Sequence, residues 1–154
     1  MKGRPTESEH LATIEWRRTT PDFEYETFSR DHTIAFSESV RIRASSAADF
    51  LGTAEFADPE QHLVGALSSC HMLTFLALAC KRKFVVERYL DPAVGYLEKN
   101  EDGFMAVTRV ELRPEIPFAL EAEPDAAQLA NLHEKAHKYC FVANSVRTRV
   151  TIGA

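Results

Sequence analysis

The chain has 154 residues, 45% apolar and 27% charged, an ordinary globular composition and enough for one domain, residues 1–154. A formal net charge of −5, without an extended cluster of Lys and Arg, argues against a nucleic-acid surface. Its three cysteines form no CxxC pair and are too few to staple a scaffold, and the polar start MKGRPTESEH lacks the apolar core of a secretion signal, so free thiols and a cytoplasmic home are expected.

The first third reads as β structure. HLATIEWRR, FEYETFSRD, HTIAFSE and VRIRAS are short, rich in aromatic and β-branched residues, and often alternate in polarity. Together they predict an antiparallel sheet with one wet face.

Asp58-Pro59-Glu60-Gln61 then carries the start signals of a helix: an Asp cap, Pro at the first helical position, an acidic first turn, and Gln three residues after the cap. Lys81, Arg82 and Lys83 suit the negative end of the dipole, so the helix is expected to end near Lys83. At ~1.5 Å per residue it would be roughly 36 Å long. The run from Leu63 to Cys80 is nearly long enough to enter a bilayer. However, Gly65, Ser68, Ser69, His71 and Thr74 interrupt it and charges bound it closely, so a buried central helix, covered partly by a second subunit, is expected instead of a membrane span.

FVVERYLDPAVGYLEKN and FMAVTRVELRPEIPF follow as strands joined by a turn at Asn100-Glu101-Asp102-Gly103. A second helix is expected from Pro124-Asp125, with Leu129, Leu132 and Ala136 at helical spacing. The alternation of Val146, Thr148, Val150 and Ile152 predicts a closing strand. The order is an α+β pattern.

Two sets of residues could carry chemistry. His133-Glu134-Lys135-Ala136-His137 matches HExxH: two His four apart share a helix face and could hold zinc, with Glu134 as general base and Cys140 as a further ligand. Such a triplet also arises readily by chance, and the charged Lys135 suits a wet helical face carrying His133, His137 and Lys138 better than a buried metal. Among the cysteines, Cys80 lies with Leu76, Ala77 and Ala79 and reads as a small buried hydrophobe. Cys70 is mid-helix, too far from the N-terminus for the dipole to activate it, so reactivity there requires a cation from elsewhere. His71, about 100° round the helix, is not the obvious partner.

The stretches PEQHLVGALSSCHMLTFLALA and HKYCFVANSV resemble the two cysteine motifs of the OsmC/Ohr family, the osmotically inducible and organic hydroperoxide resistance proteins. YETFSRDHT resembles the loop that carries the family's arginine, and YLDPAVGYLE the strand region after its long helix, so the likeness runs from about Trp16 to Ile152. The resemblance implies a fold with an N-terminal antiparallel sheet, a long buried helix and a second antiparallel sheet with a second helix, paired as an intertwined homodimer. It also implies thiol peroxidase chemistry on organic hydroperoxides, without a cofactor or bound metal. Cys70 would be the peroxidatic cysteine and Cys140 the resolving one. Arg30 would be the activating cation and Glu60 the carboxylate that holds it, with recycling by a dithiol such as a lipoyl group. Arg30 competes for that role with Arg41 and Arg43, whose alternation on a strand suits a wet face. The residues after each cysteine, His71-Met72 and Phe141-Val142-Ala143-Asn144, depart from the family's best-characterised members, and Asn144 and Ser145 suit a cap or turn.

On one unbroken helix Glu60 lies ~15 Å along the axis from Cys70 and about 80° round it, beyond direct reach. Either the segment bends before the helix proper or Glu60 serves the partner's Cys70, and a dimer with composite sites is expected. Two other functions remain open at this point: a zinc-dependent hydrolase through His133, Glu134 and His137, and a non-catalytic, redox-responsive or small-molecule-binding dimer.

Overall fold

The computed structural model describes Gly3 and residues 6–153, so part of the polar N-terminal stretch lies outside the described residues. The chain forms two compact units, Met1–Pro59 and Glu60–Ala154.

In the first unit β1 (Thr13–Glu15), β2 (His32–Ala35) and β3 (Arg41–Ala44) form an antiparallel sheet in sequence order. Ile14, Ile34 and Ile42 stand in register, placing one β-branched residue from each strand on the same row. FEYETFSRD is not the expected strand. Thr27 and Phe28 both donate backbone N–H to the Glu24 carbonyl, making a helical turn. The physical reason lies in the aromatics, for Trp16, Phe23 and Phe28 cluster with ring centroids 5.2–6.2 Å apart instead of alternating across a pleat.

The second unit is built on α1 (Pro59–Lys81), which begins at the expected proline. It ends at Lys81 because Lys83 turns left-handed, with φ 67°. Lys83 N–H then reaches the Cys80 carbonyl and Phe84 N–H the Ala79 carbonyl, both at 3.0 Å. This is a Schellman closure with lysine where glycine is usual. Sheet two comprises β4 (Val94–Lys99), β5 (Met105–Leu112) and β6 (Arg149–Ile152), antiparallel at β4–β5 and parallel at β5–β6. The parallel pair follows from α2 (Ala126–Tyr139), which carries the chain across between the two strands. β4 starts later than expected, since Asp91-Pro92 interrupts the run; the segments on either side of the hairpin meet at the isolated bridges Val86–Phe118 and Leu90–Glu115 and where Val85 N–H donates to the Ala122 carbonyl. The β4–β5 turn is where the sequence placed it, closed by Gly103 at φ 83° and by the Asn100 side chain accepting from Asp102 and Phe104 N–H. The α2 N-terminus is a reciprocal capping box between Asp125 and Gln128.

By length and composition α1 would pass for a membrane span, with mean hydropathy 1.8 over its most apolar window. What it buries is a single i, i+4 stripe, Leu67, His71, Phe75 and Ala79. The N-terminal part of the stripe packs with Val110 and Leu112 of β5, and the C-terminal part with Leu132 and Ala136 of α2. The opposite stripe, Gly65, Ser69, Leu73, Ala77 and Cys80, is exposed. Among the described residues only one face of the helix is covered, and Cys80 is not the buried residue the sequence suggested. Its position, about 100° round from Ala79, turns it away from α2.

Two substitutions test this packing. A Cβ at Gly95 of β4 would lie 2.4 Å from Val64 Cγ2 of α1, so Gly95→Ala should lower stability by about 1–3 kcal/mol. Lys83→Gly should raise it by about 0.5–1 kcal/mol by relieving the left-handed strain. Urea unfolding midpoints at unchanged m-value read both.

Candidate functional site: a thiol pair between two helices

Cys70, half-buried on α1, and Cys140, buried at the C-cap of α2, are both free, and Cys70 lies close enough to act on the Cys140 thiol. Three features hold Cys140 there. Its N–H bonds the His137 carbonyl, its sulfur accepts from Ala143 N–H at 3.4 Å, and its carbonyl accepts from the N–H and side-chain amide of Asn144, each at 3.0 Å. Asn144 also donates to the Lys138 carbonyl, and Ser145 to the Phe141 carbonyl, so both residues close the α2 terminus as expected. Burial, then the hydrogen bond with Cys70, pushes the Cys140 thiol up to about 11. At neutral pH Cys140 therefore keeps its proton and is the natural donor to the Cys70 sulfur.

Glu60 occupies the first turn of α1, which runs unbroken to Cys70. The bend that could have brought the two together within one helix is absent, so the axial separation of ~15 Å stands. Arg30 belongs to the first unit, where its guanidinium donates to the Phe28 carbonyl at 2.6 Å and the Tyr25 carbonyl at 2.5 Å. It also lies 3.7 Å from the Phe28 ring centroid and 5.0 Å from that of Tyr25. Arg43, by contrast, lies over Phe56, and Arg41 is exposed on β3.

The HExxH segment is neither the zinc site nor the wet face that the sequence left open. The His133 ring stacks on His71, with centroids 5.4 Å apart and planes 8° apart, and tilts against Phe75 at 4.6 Å. Glu134 is exposed, and among the described residues no three His, Cys, Asp or Glu side chains gather to hold a metal. His71 Nε2 and His133 Nδ1 are 3.1 Å apart, so one ring must donate and the other accept, which requires a neutral acceptor. Burial first, then His133 and His137, lowers the His71 pKa to about 4 against a small opposing pull from Asp91; burial also lowers His133. Asp91 is engaged with the Ser68 hydroxyl at 2.5 Å and Arg113 N–H at 2.7 Å. The sequence did carry one signal for this seam: His71 falls on the apolar stripe at i+4 from Leu67 and i−4 from Phe75.

These geometries define an α+β protein that sets Cys70 of a long apolar helix beside Cys140 at the end of a second helix. The chain belongs to the OsmC-like protein family, whose family model matches residues 52–154. Its fold is similar to that of an OsmC-like protein of unknown function from Vibrio cholerae, at 42% identity and TM-score 0.91 over 96% of this chain and 99% of that one. It is also similar to an organic hydroperoxide resistance protein from Elizabethkingia anophelis, at 19% identity and TM-score 0.71 over 99% and 95%. A third likeness is to an OsmC-like protein from Mycoplasma pneumoniae, at 15% identity and TM-score 0.72 over 95% and 96%. No curated protein matches the sequence.

The His71 pKa lies below its unfolded value of 6.5, so protons bind the unfolded chain more readily. Its contribution is intact above pH 6.5 and should be lost as the pH falls toward 4, by about 2.5 kcal/mol at pH 4.5. Urea titrations at pH 7.5 and 4.5 should show this loss in the parent protein and a clearly smaller one in His71→Asn. Equal losses in the two proteins would assign the acid sensitivity to other groups.

Proposed function

We propose that the protein is a cysteine-based thiol peroxidase that reduces organic hydroperoxides to alcohols, acting in the cytoplasm as a homodimer in which both units serve one domain. The observation that carries the reading is the closeness of Cys70 to Cys140, together with membership of the OsmC-like family. The Cys70 thiolate attacks the peroxide oxygen, the O–O bond breaks, and the departing alkoxide takes a proton to become the alcohol, leaving Cys70 as a sulfenic acid. Cys140 sulfur then attacks Cys70 sulfur; its proton leaves with the hydroxide as water, and a disulfide remains. A dithiol, of which lipoyl groups are one class, returns both thiols and is itself oxidised to a disulfide. No cofactor or metal enters the cycle.

In this reading Cys140, held protonated by burial, lies beside Cys70 and stands ready to resolve its sulfenic acid before further oxidation. Arg30, charged at any cellular pH, provides the cation for thiolate and peroxide oxygens, with Glu60 as its carboxylate partner. Because α1 keeps Glu60 far from Cys70 of its own chain, the Glu60 role is assigned across the dimer. The exposed stripe of α1, with Leu73 60% exposed, supports its burial against a second copy.

Thiol counting with one equivalent of cumene hydroperoxide should remove two thiols per chain and leave Cys80, and mass mapping should find the Cys70–Cys140 bridge. Cys70→Ser should abolish peroxide consumption. Cys140→Ser should complete one turnover and accumulate a trappable sulfenic acid. Parent protein inert toward cumene and lipid hydroperoxides overturns the assignment.

A further inference from the structure

The α1–α2 seam holds more buried polarity than the packing of two helices requires. His71 is 1% exposed on the buried stripe of α1, and its Nε2 meets His133 Nδ1 at 3.1 Å. The His133 ring lies against two successive turns of α1, stacked on His71 and with its centroid 4.6 Å from that of Phe75. His137, one turn further along α2, is near enough for its charge to act on His71. His71 Nδ1 and His137 Nδ1 are buried and find no hydrogen-bond partner among the described residues. His71 is therefore held by its one contact with His133. A pair of this kind serves register better than stability. Apolar side chains such as Phe75 and Leu132 repack at a changed offset with modest loss, whereas a buried donor–acceptor pair is made at one offset and unmade at the others. What the offset controls lies on the same two helices. Cys70 precedes His71 by one residue, and Cys140 follows His133 by seven, about two turns along α2. A slip of α2 by one residue would carry Cys140 ~1.5 Å along the axis. Disulfide closure tolerates little more, since it requires Cα separations of about 4.4–6.8 Å and a restricted dihedral angle.

We propose that His71 and His133 are positioning residues for closure of the Cys70–Cys140 disulfide, their hydrogen bond fixing α2 on α1 at the one offset that aims the Cys140 sulfur at Cys70. In turnover this rests on the reading of Cys140 as the resolving thiol, but the closure itself does not depend on the oxidant. With oxidised dithiothreitol the two protein sulfurs join as the cyclic disulfide of the reagent opens, and two protons and two electrons pass to the reagent, which becomes the dithiol. Neither imidazole takes part in the chemistry. Each acts through the helix that carries it.

Closure is measured without peroxide, as the equilibrium constant against reduced and oxidised dithiothreitol at pH 7.5, with mass mapping after an acid quench to count the Cys70–Cys140 bridge separately from Cys80. The atoms in contact dictate a crossed pattern. An Asn amide stands where imidazole Nδ1 stands and a Gln amide where Nε2 stands, so His71→Gln and His133→Asn keep a partner for the opposite ring, while His71→Asn and His133→Gln withdraw it. The first two should hold the closure constant within threefold of the parent. The second two should lower it at least tenfold, or about 30 mV. With cumene hydroperoxide the same two should form the Cys70 sulfenic acid at a rate within threefold of the parent and accumulate it as a dimedone adduct. Should they not fold, His71→Leu combined with His133→Leu, which removes both partners together, replaces them with the same tenfold fall expected. Equal closure constants for Asn and Gln at each site overturn the positioning role. So does a fall that tracks the urea midpoint across all variants, which would assign the pair to support of the fold alone. The crossed pattern in a protein that consumes no peroxide would sink the proposed function and keep the positioning role.

Discussion

The Cys70–Cys140 and His71–His133 pairs both depend on the packing of α2 against α1 through Phe75, Ala79, Leu132 and Ala136. Within this cluster Phe75 and Leu132 supply the large side chains and Ala79 and Ala136 the small ones. Seventy residues of chain separate Cys140 from Cys70, and this seam, with the packing of Val142, Ala143 and Val146 on the Leu67 cluster, brings them together. The seam is costly to disturb: a cavity at a buried Phe costs about 3–5 kcal/mol, a large share of the stability of a domain this size.

The same seam holds a polar pair that hydrophobic burial alone would not select. His71 and His133 remain neutral because burial penalises their charged forms and because one ring must accept from the other. This makes the α1–α2 interface both a support for the thiols and a place where acid acts on the fold. It also accounts for HExxH without a metal: His133 is committed to His71 and Phe75, and Glu134 points into water.

Much of the framework was legible in the chain itself. Pro59 starts α1, Asp125 and Gln128 cap α2, Asn100 and Gly103 close the hairpin, and each does so through local chemistry that needs no tertiary partner. Errors fell where local pattern and tertiary packing compete. FEYETFSRD has strand-like composition, yet its aromatics gain more by packing on Trp16 and on the Arg30 guanidinium than by alternating across a sheet. Cys80 sits in an apolar run, but an apolar neighbourhood in sequence does not say which face of a helix is covered.

The sequence by itself determined the α+β element order, the long apolar helix and the two cysteine motifs, because capping, turn and periodicity signals act over a few residues. Only the tertiary structure decided that Cys140 comes beside Cys70, that His133 meets His71, and that α1 buries one stripe while exposing the other. Those outcomes depend on which distant surfaces exclude water together, and that is settled by packing, not by the residues adjacent in the chain.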